Sequence, residues 1–393
     1  MKFIKALIVS FLFISLIGCE STIVKVPASP YPISNDSFSV KTIAEGFVIP
    51  YGIAIVNDTE YFITDRIGKL FHFKEGHQIE IKGMPSVKTF GDKGIPAVMH
   101  GGLMDVSIHP KFNETPWLYI SYLDIDGFAK VSRFKIENNN TTQFETIFKT
   151  RGQNYYGNGM RIVWEDDEHF FLNVGGSVFT TSKNPILTAQ DLQDDSGKIH
   201  RLKESGAIPS DNPIFDGLTQ PTTIWSYGHR DSQGLVYDKK SKTLFGVEHG
   251  PKGGDEFNII KKGGNYGWPI FTYGIHYNGE NISTLTEEEA SKTTILPEHY
   301  WTVPTDDGGQ AIAPSCLLRV EGSTIADWNS HFLMGSLAYR RLMKYNRDTD
   351  ETVALAIDGR IRTLKQLPSG DIIALMERND VSKSNGKIIR ISN

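Results

Sequence analysis

The hexapeptide GKLFHF, Gly68–Phe73, has apolar side chains mostly on alternate positions, the period of a half-buried strand. Close variants recur along the chain: AKVSRF from Ala129, GKIHRL from Gly197, DEFNII from Asp255, RRLMKY from Arg340 and GKIIRI from Gly386. A second apolar run lies just before each: YFITD, WLYISYL, FFLNVGGS, LFGVEHG, FLMGSL and IIALME. Before that comes a third: GIAIVN, DVSIHP, RIVWED, GLVYD, SCLLRV and RTLKQLP. Turn clusters such as NDT, NET, EDDE, KKSK and PSGD separate the first two runs of most copies. Six units of at least three strands, averaging about sixty residues each, match the four-to-eight-blade range of β-propellers. One unit alone cannot bury its apolar face, so the units must pack on one another. The expected fold is therefore all-β, a six-bladed β-propeller. FSVKTIAEG, near residue 40, has no repeat of its own and is expected to supply the outer strand of the last blade, closing the ring.

Composition agrees. Of 393 residues, 37 are glycine and 11% are aromatic, a bias towards strands and turns. The formal charge of −5 and the lack of a basic stripe argue against a nucleic-acid partner. The N-terminus, MKFIKALIVSFLFISLIGCE, sets Lys2 and Lys5 before an apolar run, Ala6–Ile17, short for a bilayer span. Leu16-Ile17-Gly18-Cys19 resembles the bacterial lipoprotein cleavage box, with Cys19 as the lipidated residue. The reading is a signal peptide over 1–18, a Pro/Ser-rich tether over 19–37 and a propeller over 38–393. The protein is then expected on a bacterial membrane by its lipid alone, in the periplasm or at the cell surface. The other cysteine is Cys316, so no intrachain disulfide remains and the domain is held by burial.

In a propeller, loops between blades gather at the mouth of the central channel, and function is sought there. EHGPKGGDEFNIIKKGGNYGWP, Glu248–Pro269, places bare backbone beside carboxylates. By itself that is either a loop around a hard cation or cofactor, or a surface turn. Of the remaining signals, NNNTTQ reads as a loop, TEEEA as a solvated helix start, and the tryptophans as blade packing. The long interval before the fifth copy reads as an excursion over one face.

Several segments together resemble one family, the soluble quinoprotein sugar dehydrogenases of the glucose/sorbosone dehydrogenase group. They are PYGIAI…ITDRIGKL, HGGLMDVSIHPKF, GKIHRL…GAIPSDNPIF, IWSYGHRDSQGLVYD, EHGPKGGDEFNIIKKGGNYGWP and IAPSCLL, in the family's order from about Ile49 to the C-terminus. The resemblance implies a six-bladed propeller holding pyrroloquinoline quinone (PQQ) and Ca²⁺ over the channel mouth. It makes the carbonyls of Gly250 and Pro251 ligands of the cofactor's calcium, a role suited to backbone oxygen. Glu256 and the main chain of Tyr266 match ligands of a second, structural calcium, with Asp255 either joining them or solvated. Arg230 matches the arginine that pairs with the quinone's carboxylates, and Arg360 and Arg362 match two more. Asp231, also on the cofactor side, stands where asparagine is usual.

The chain also departs from the family. The general base there is a histidine four residues before an arginine, which takes the proton from the sugar's anomeric hydroxyl. Counting back from Arg161 gives Gly157, or Tyr156 with one insertion. The carboxylate that orients the base falls at Gly176, and an expected lysine is Ala338. His100 is the candidate replacement base, titrating in the useful range; His229 and His249 also sit in motif loops. Two readings follow: a PQQ- and calcium-dependent oxidoreductase acting on an aldose or polyol with an unspecified electron acceptor, and a non-catalytic surface propeller that binds a sugar or protein. A calcium-dependent hydrolase would need converging carboxylate and amide ligands, and no such set is visible.

Overall fold

The computed structural model describes residues 30–92, 95–154, 159–176, 187–302, 312–377 and 385–393. Six four-stranded antiparallel sheets follow one another around a central channel. Blade 1 spans 50–81, blade 2 103–149, blade 3 159–227, blade 4 232–301 and blade 5 318–358. Blade 6 takes three strands from 361–392 and its outermost from Ser39–Phe47, which pairs with Gly386–Ser392. The ring thus closes as expected, with Ser39–Phe47 beside the last strand. The three recurrent runs are the first, second and third strands of the blades, and the first strands line the channel.

The fourth strands carried no repeat signal, because their burial differs from blade to blade: Glu351–Asp358 buries Ala354, Leu355 and Ile357, while others are more exposed. Asn140–Lys149 is one of them, mostly exposed or half-buried; NNNTTQ is therefore a turn at Asn138 and Asn139, which adopt positive φ, running into a strand rather than a loop. Blades pack through aromatic layers. Between blades 4 and 5, Phe257 lies with its ring centroid 4.9 Å from Phe332 and 5.1 Å from Tyr345. A Phe257→Ala change there would cost about 4 kcal/mol. TEEEA begins the helix Glu287–Thr293, capped by Thr286 with Glu289 reaching back to it.

Part of the segment expected as a tether is docked. Ser34 N–H donates to the Ala354 carbonyl at 2.8 Å, and Tyr31 packs edge-on against Tyr339. Asp36 accepts from Trp328 Nε1 at 2.8 Å and pairs with Lys344. Cys19 and the apolar run before it lie outside the described residues. Among the described residues, no helix is long and apolar enough to cross a membrane.

Candidate functional site

Arg161 occupies the channel axis near the start of the first strands. Its Nε donates to the Gln233 carbonyl at 3.1 Å, Nη1 to Tyr51 at 3.0 Å, and Nη2 to Ser315 and Arg362 at 3.1 and 2.9 Å. One guanidinium thereby ties carbonyls from four places around the ring. Its charge is matched by Asp105, 3.6 Å away. The Tyr51 ring beside it is faced by three guanidiniums: Arg161 at 4.0 Å, Arg66 at 4.8 Å and Arg362 at 5.6 Å from the centroid. Burial, helped by the nearby Arg362, pulls Arg66 down to about 10. A cluster this cationic is stable only beside anions. One is built in. Glu377 binds Arg360 Nε at 2.8 Å and Arg362 Nε at 2.5 Å. Burial opposes its ionisation, yet Arg362 and Arg360 hold the carboxyl at about 2. Arg360 and Arg362 converge on Glu377, a residue that sequence reasoning missed and that aligns them.

The other wall comes from blade 4. Arg230 is buried against Trp268, its guanidinium 5.2 Å from the ring centroid. Nη1 donates to the carbonyls of His249 and Gly250 at 3.0 and 2.7 Å, while among the described residues the buried Nε has no partner. The Gly250 loop is held by Asp255. One oxygen of that carboxylate accepts from Gly250 N–H at 2.9 Å and the other from Ala313 N–H at 2.8 Å. Asp255 is therefore buried rather than solvated, and both its oxygens clamp backbone. Pro251 is buried in the same turn. Close packing requires glycine here: a Cβ on Gly254, where φ is +70°, would lie 2.4 Å from Gly274 N. Asp231 is also buried and turned into the protein, accepting from Gln233 Nε2 at 2.6 Å beside His249 Nδ1 at 3.4 Å. Burial works against its charge, but His249 and Arg230 keep the carboxyl at about 2.

Glu256 stands directly across the sheet from Glu248. Both are buried, and Asn258 Nδ2 reaches Glu256 at 3.0 Å. Burial pushes Glu248 up to about 7, and burial plus the Glu248 charge raises Glu256 well above the carboxylate range. His229 does not neutralise them: its ring stacks on Tyr266, centroids 4.5 Å apart, and burial drives it down to about 3. Glu248, Glu256, Tyr266, Gly250 and Arg230 line one cavity of about 10 Å³, roughly the room one water or ion needs. Two buried carboxylates around an ion-sized space, steadied by Arg230 N–H at 3.1 Å, His229 Nδ1 at 3.4 Å and Asn258 but unmatched by a full cation, are the donor chemistry of a hard divalent cation. Glu248 was not singled out in the sequence, although its spacing from Glu256 across a hairpin carried the signal.

The base region is different. Positions 156 and 157 lie outside the described residues. Gly176 is described, and it leaves no room for a carboxylate: an added Cβ would sit 2.8 Å from the His229 carbonyl and 3.1 Å from the Gly197 Cα. Its N–H donates to the Arg230 carbonyl at 2.7 Å. His100 lies on a two-stranded hairpin before blade 2, half-buried, next to Gly101, whose carbonyl accepts from Arg66 Nε at 2.9 Å. It is thus one residue from the arginine cluster. Ala338 is half-buried above blade 5, its N–H on the Ile312 carbonyl at 3.3 Å.

Known proteins resemble the chain in sequence and fold. The aldose sugar dehydrogenase YliI of Escherichia coli is 30% identical, over 98% of each chain. The crystal structure of the soluble aldose sugar dehydrogenase from Escherichia coli in the apo form superposes with a TM-score of 0.75 at 27% identity, covering 91% of this chain and 99% of that one. A PQQ-bound aldose sugar dehydrogenase from Streptomyces coelicolor shares the fold, with a TM-score of 0.69 at 23% identity over 91% and 98% of the two chains. The family profile described as Glucose / Sorbosone dehydrogenase matches residues 47–390, and the chain belongs to that family.

Proposed function

We propose that the protein is a PQQ- and calcium-dependent oxidoreductase that oxidises an aldose or a related polyol at a CH–OH group. The observation carrying this reading is the paired wall of the channel mouth: an arginine with an orphaned buried Nε on one side, and Arg360 and Arg362 aligned by Glu377 on the other. Forked guanidiniums suit a planar polycarboxylate. Arg230, Arg360 and Arg362 would hold the quinone, the Gly250 and Pro251 carbonyls its calcium, and Glu248 and Glu256 with the Tyr266 main chain a second calcium. When bound, the quinone supplies a hydride acceptor and the calcium a Lewis acid. The chain's own task is then to orient the sugar and accept the hydroxyl proton, and His100 is the proposed acceptor. The lipidated Cys19 would tie the enzyme to a bacterial membrane, with the electron acceptor yet to be named.

A second reading has an observation of its own. The closed backbone packing at Gly176 excludes the carboxylate that would orient a base, which favours a sugar- or protein-binding propeller that retains its calcium. One experiment separates the two. The chain from Glu20 onward, stripped of metal, is titrated with PQQ with and without Ca²⁺, following the cofactor's absorbance, and then given aldoses and a redox dye. Calcium-dependent binding followed by sugar-dependent dye reduction supports the enzyme. A folded protein that takes up calcium but no quinone supports the binding propeller.

A further inference from the structure

Further along the channel from the mouth, beyond the Arg161 guanidinium, lies another cavity of about 20 Å³, lined by Asp105, Arg161, Leu235, Cys316, Thr363 and Lys365 among others. Its charges do not cancel. Asp105 is paired with Arg161, whose donors are already committed to four carbonyls. The Asp105 carboxylate also accepts from Ile162 N–H at 2.9 Å. Thr363 Oγ1 is spent on the Tyr51 carbonyl. Burial pushes the Cys316 thiol up, so it stays protonated and offers only a weak S–H donor. That leaves Lys365. Lys365 is half-buried, and among the described residues its amine has no hydrogen-bond or ion-pair partner; burial lowers its pKa, the field of Asp105 works the other way, and Arg161 adds to the lowering. An ammonium in such a place is costly unless something neutralises it.

We infer that Lys365 holds one halide-sized monoanion, chloride in the cell, on the propeller axis. The volume selects the ligand class: about 10–15 Å³ admits one water-sized particle, so the cavity takes a halide, whereas phosphate or a carboxylate metabolite is too large. The Lys365 amine has no hydrogen-bond partner among the described residues, the Asp105 carboxylate that shares the cavity is already held by Arg161 and Ile162 N–H, and the Cys316 S–H adds a soft donor suited to a polarisable anion. With the anion in place the axis carries Asp105 against Arg161 and halide against Lys365, so neither cation is left unmatched. The site would knit the first strands of several blades without touching the quinone or calcium sites, and it stands whether or not the protein is an enzyme.

The test uses the full chain in detergent, at fixed free calcium and fixed ionic strength, with sodium gluconate progressively replaced by sodium chloride. The melting temperature is expected to rise by roughly 2 °C at about tenfold excess over the dissociation constant, and the rise to vanish in Lys365→Met. Crystals grown in bromide should show anomalous density beside Lys365 Nζ, a reading that does not depend on the variant folding. Equal melting temperatures in chloride and gluconate, or bromide-grown crystals with no anomalous peak at Lys365, would overturn the proposal in favour of a neutral amine beside water.

Discussion

Arg230 Nη1 donates to the Gly250 carbonyl at 2.7 Å, so the arginine expected to grip the quinone rests on the oxygen expected to grip its calcium. A cation approaching that oxygen repels the guanidinium and frees it to turn towards an anion. Calcium and quinone should therefore bind cooperatively, and linkage makes the effect reciprocal. The apparent affinity for PQQ is expected to increase at least tenfold between chelated and millimolar calcium, by about 1.4 kcal/mol of coupling. Arg230→Lys keeps the charge but loses the fork, and should weaken PQQ about 100-fold. Both follow from absorbance titrations; PQQ affinity independent of calcium would contradict the coupling.

The Glu248–Glu256 pair gives a prediction with a definite sign. Both carboxyls are raised in the folded state, so without metal the fold is penalised for ionising them. The penalty is absent below the ordinary carboxyl value near 4.5 and grows as pH rises, reaching its limit for Glu248 at about 7 and for Glu256 only past its own raised value. The metal-free protein should lose stability across that window, and added Ca²⁺ should restore it increasingly over the same range. Glu256→Gln should raise the metal-free melting temperature at pH 7 and abolish the calcium increment. Thermal melts from pH 4.5 to 8, with EGTA or calcium, decide it; melting temperatures unmoved by chelation would remove both calcium assignments.

The blades were legible because a half-buried strand must alternate, and six copies of GKLFHF and its two neighbouring runs repeat that physics. Most outer strands were not, since their burial differs from blade to blade: Asn140–Lys149 is mostly exposed, whereas Glu351–Asp358 buries Ala354, Leu355 and Ile357. Within the site, motif residues such as Arg230 and Glu256 could be found by their local spacing. Arg161 escaped as a hub because it binds carbonyls 110, 154 and 201 positions away. Glu377 escaped for the same reason. Its partners are 15 and 17 residues earlier, on the strand that pairs with its own. In the sequence Asp255 reads as either a ligand or a solvated side chain, because nothing local reveals that two backbone N–H groups meet its oxygens.

Gly176 offers a check on the base region. If its lack of a side chain were a recent loss, restoring a carboxylate would be simple. The packing says otherwise: a Cβ there meets the His229 and Arg230 carbonyls at 2.8 and 3.2 Å. Gly176→Asp should destabilise the protein by about 3 kcal/mol or more, from backbone displacement and a buried charge. It should bring no gain in sugar-dependent dye reduction. Gly176→Ala, lacking the charge, should cost less but still be measurable. Urea unfolding of both variants tests this. A stable Gly176→Asp with raised turnover would mean that the site can accept the carboxylate after all.

Glu377 separates support from binding. Its carboxyl lies near 2 in the folded protein against an ordinary 4.5, so its contribution is present above about pH 4.5 and disappears as pH falls towards 2. The shift corresponds to about 3 kcal/mol at neutral pH. Glu377→Gln should therefore be less stable than the parent by about that amount at pH 7, with the two curves converging below pH 3. Because Arg360 and Arg362 would lose the group that aligns them while keeping their charge, PQQ affinity should fall as well, and more steeply with rising salt than in the parent. Urea melts across pH 2–7 read the first effect and absorbance titrations at two salt concentrations the second. Curves that stay parallel down to pH 2 would show that the carboxylate's pairing with these arginines adds nothing to the fold.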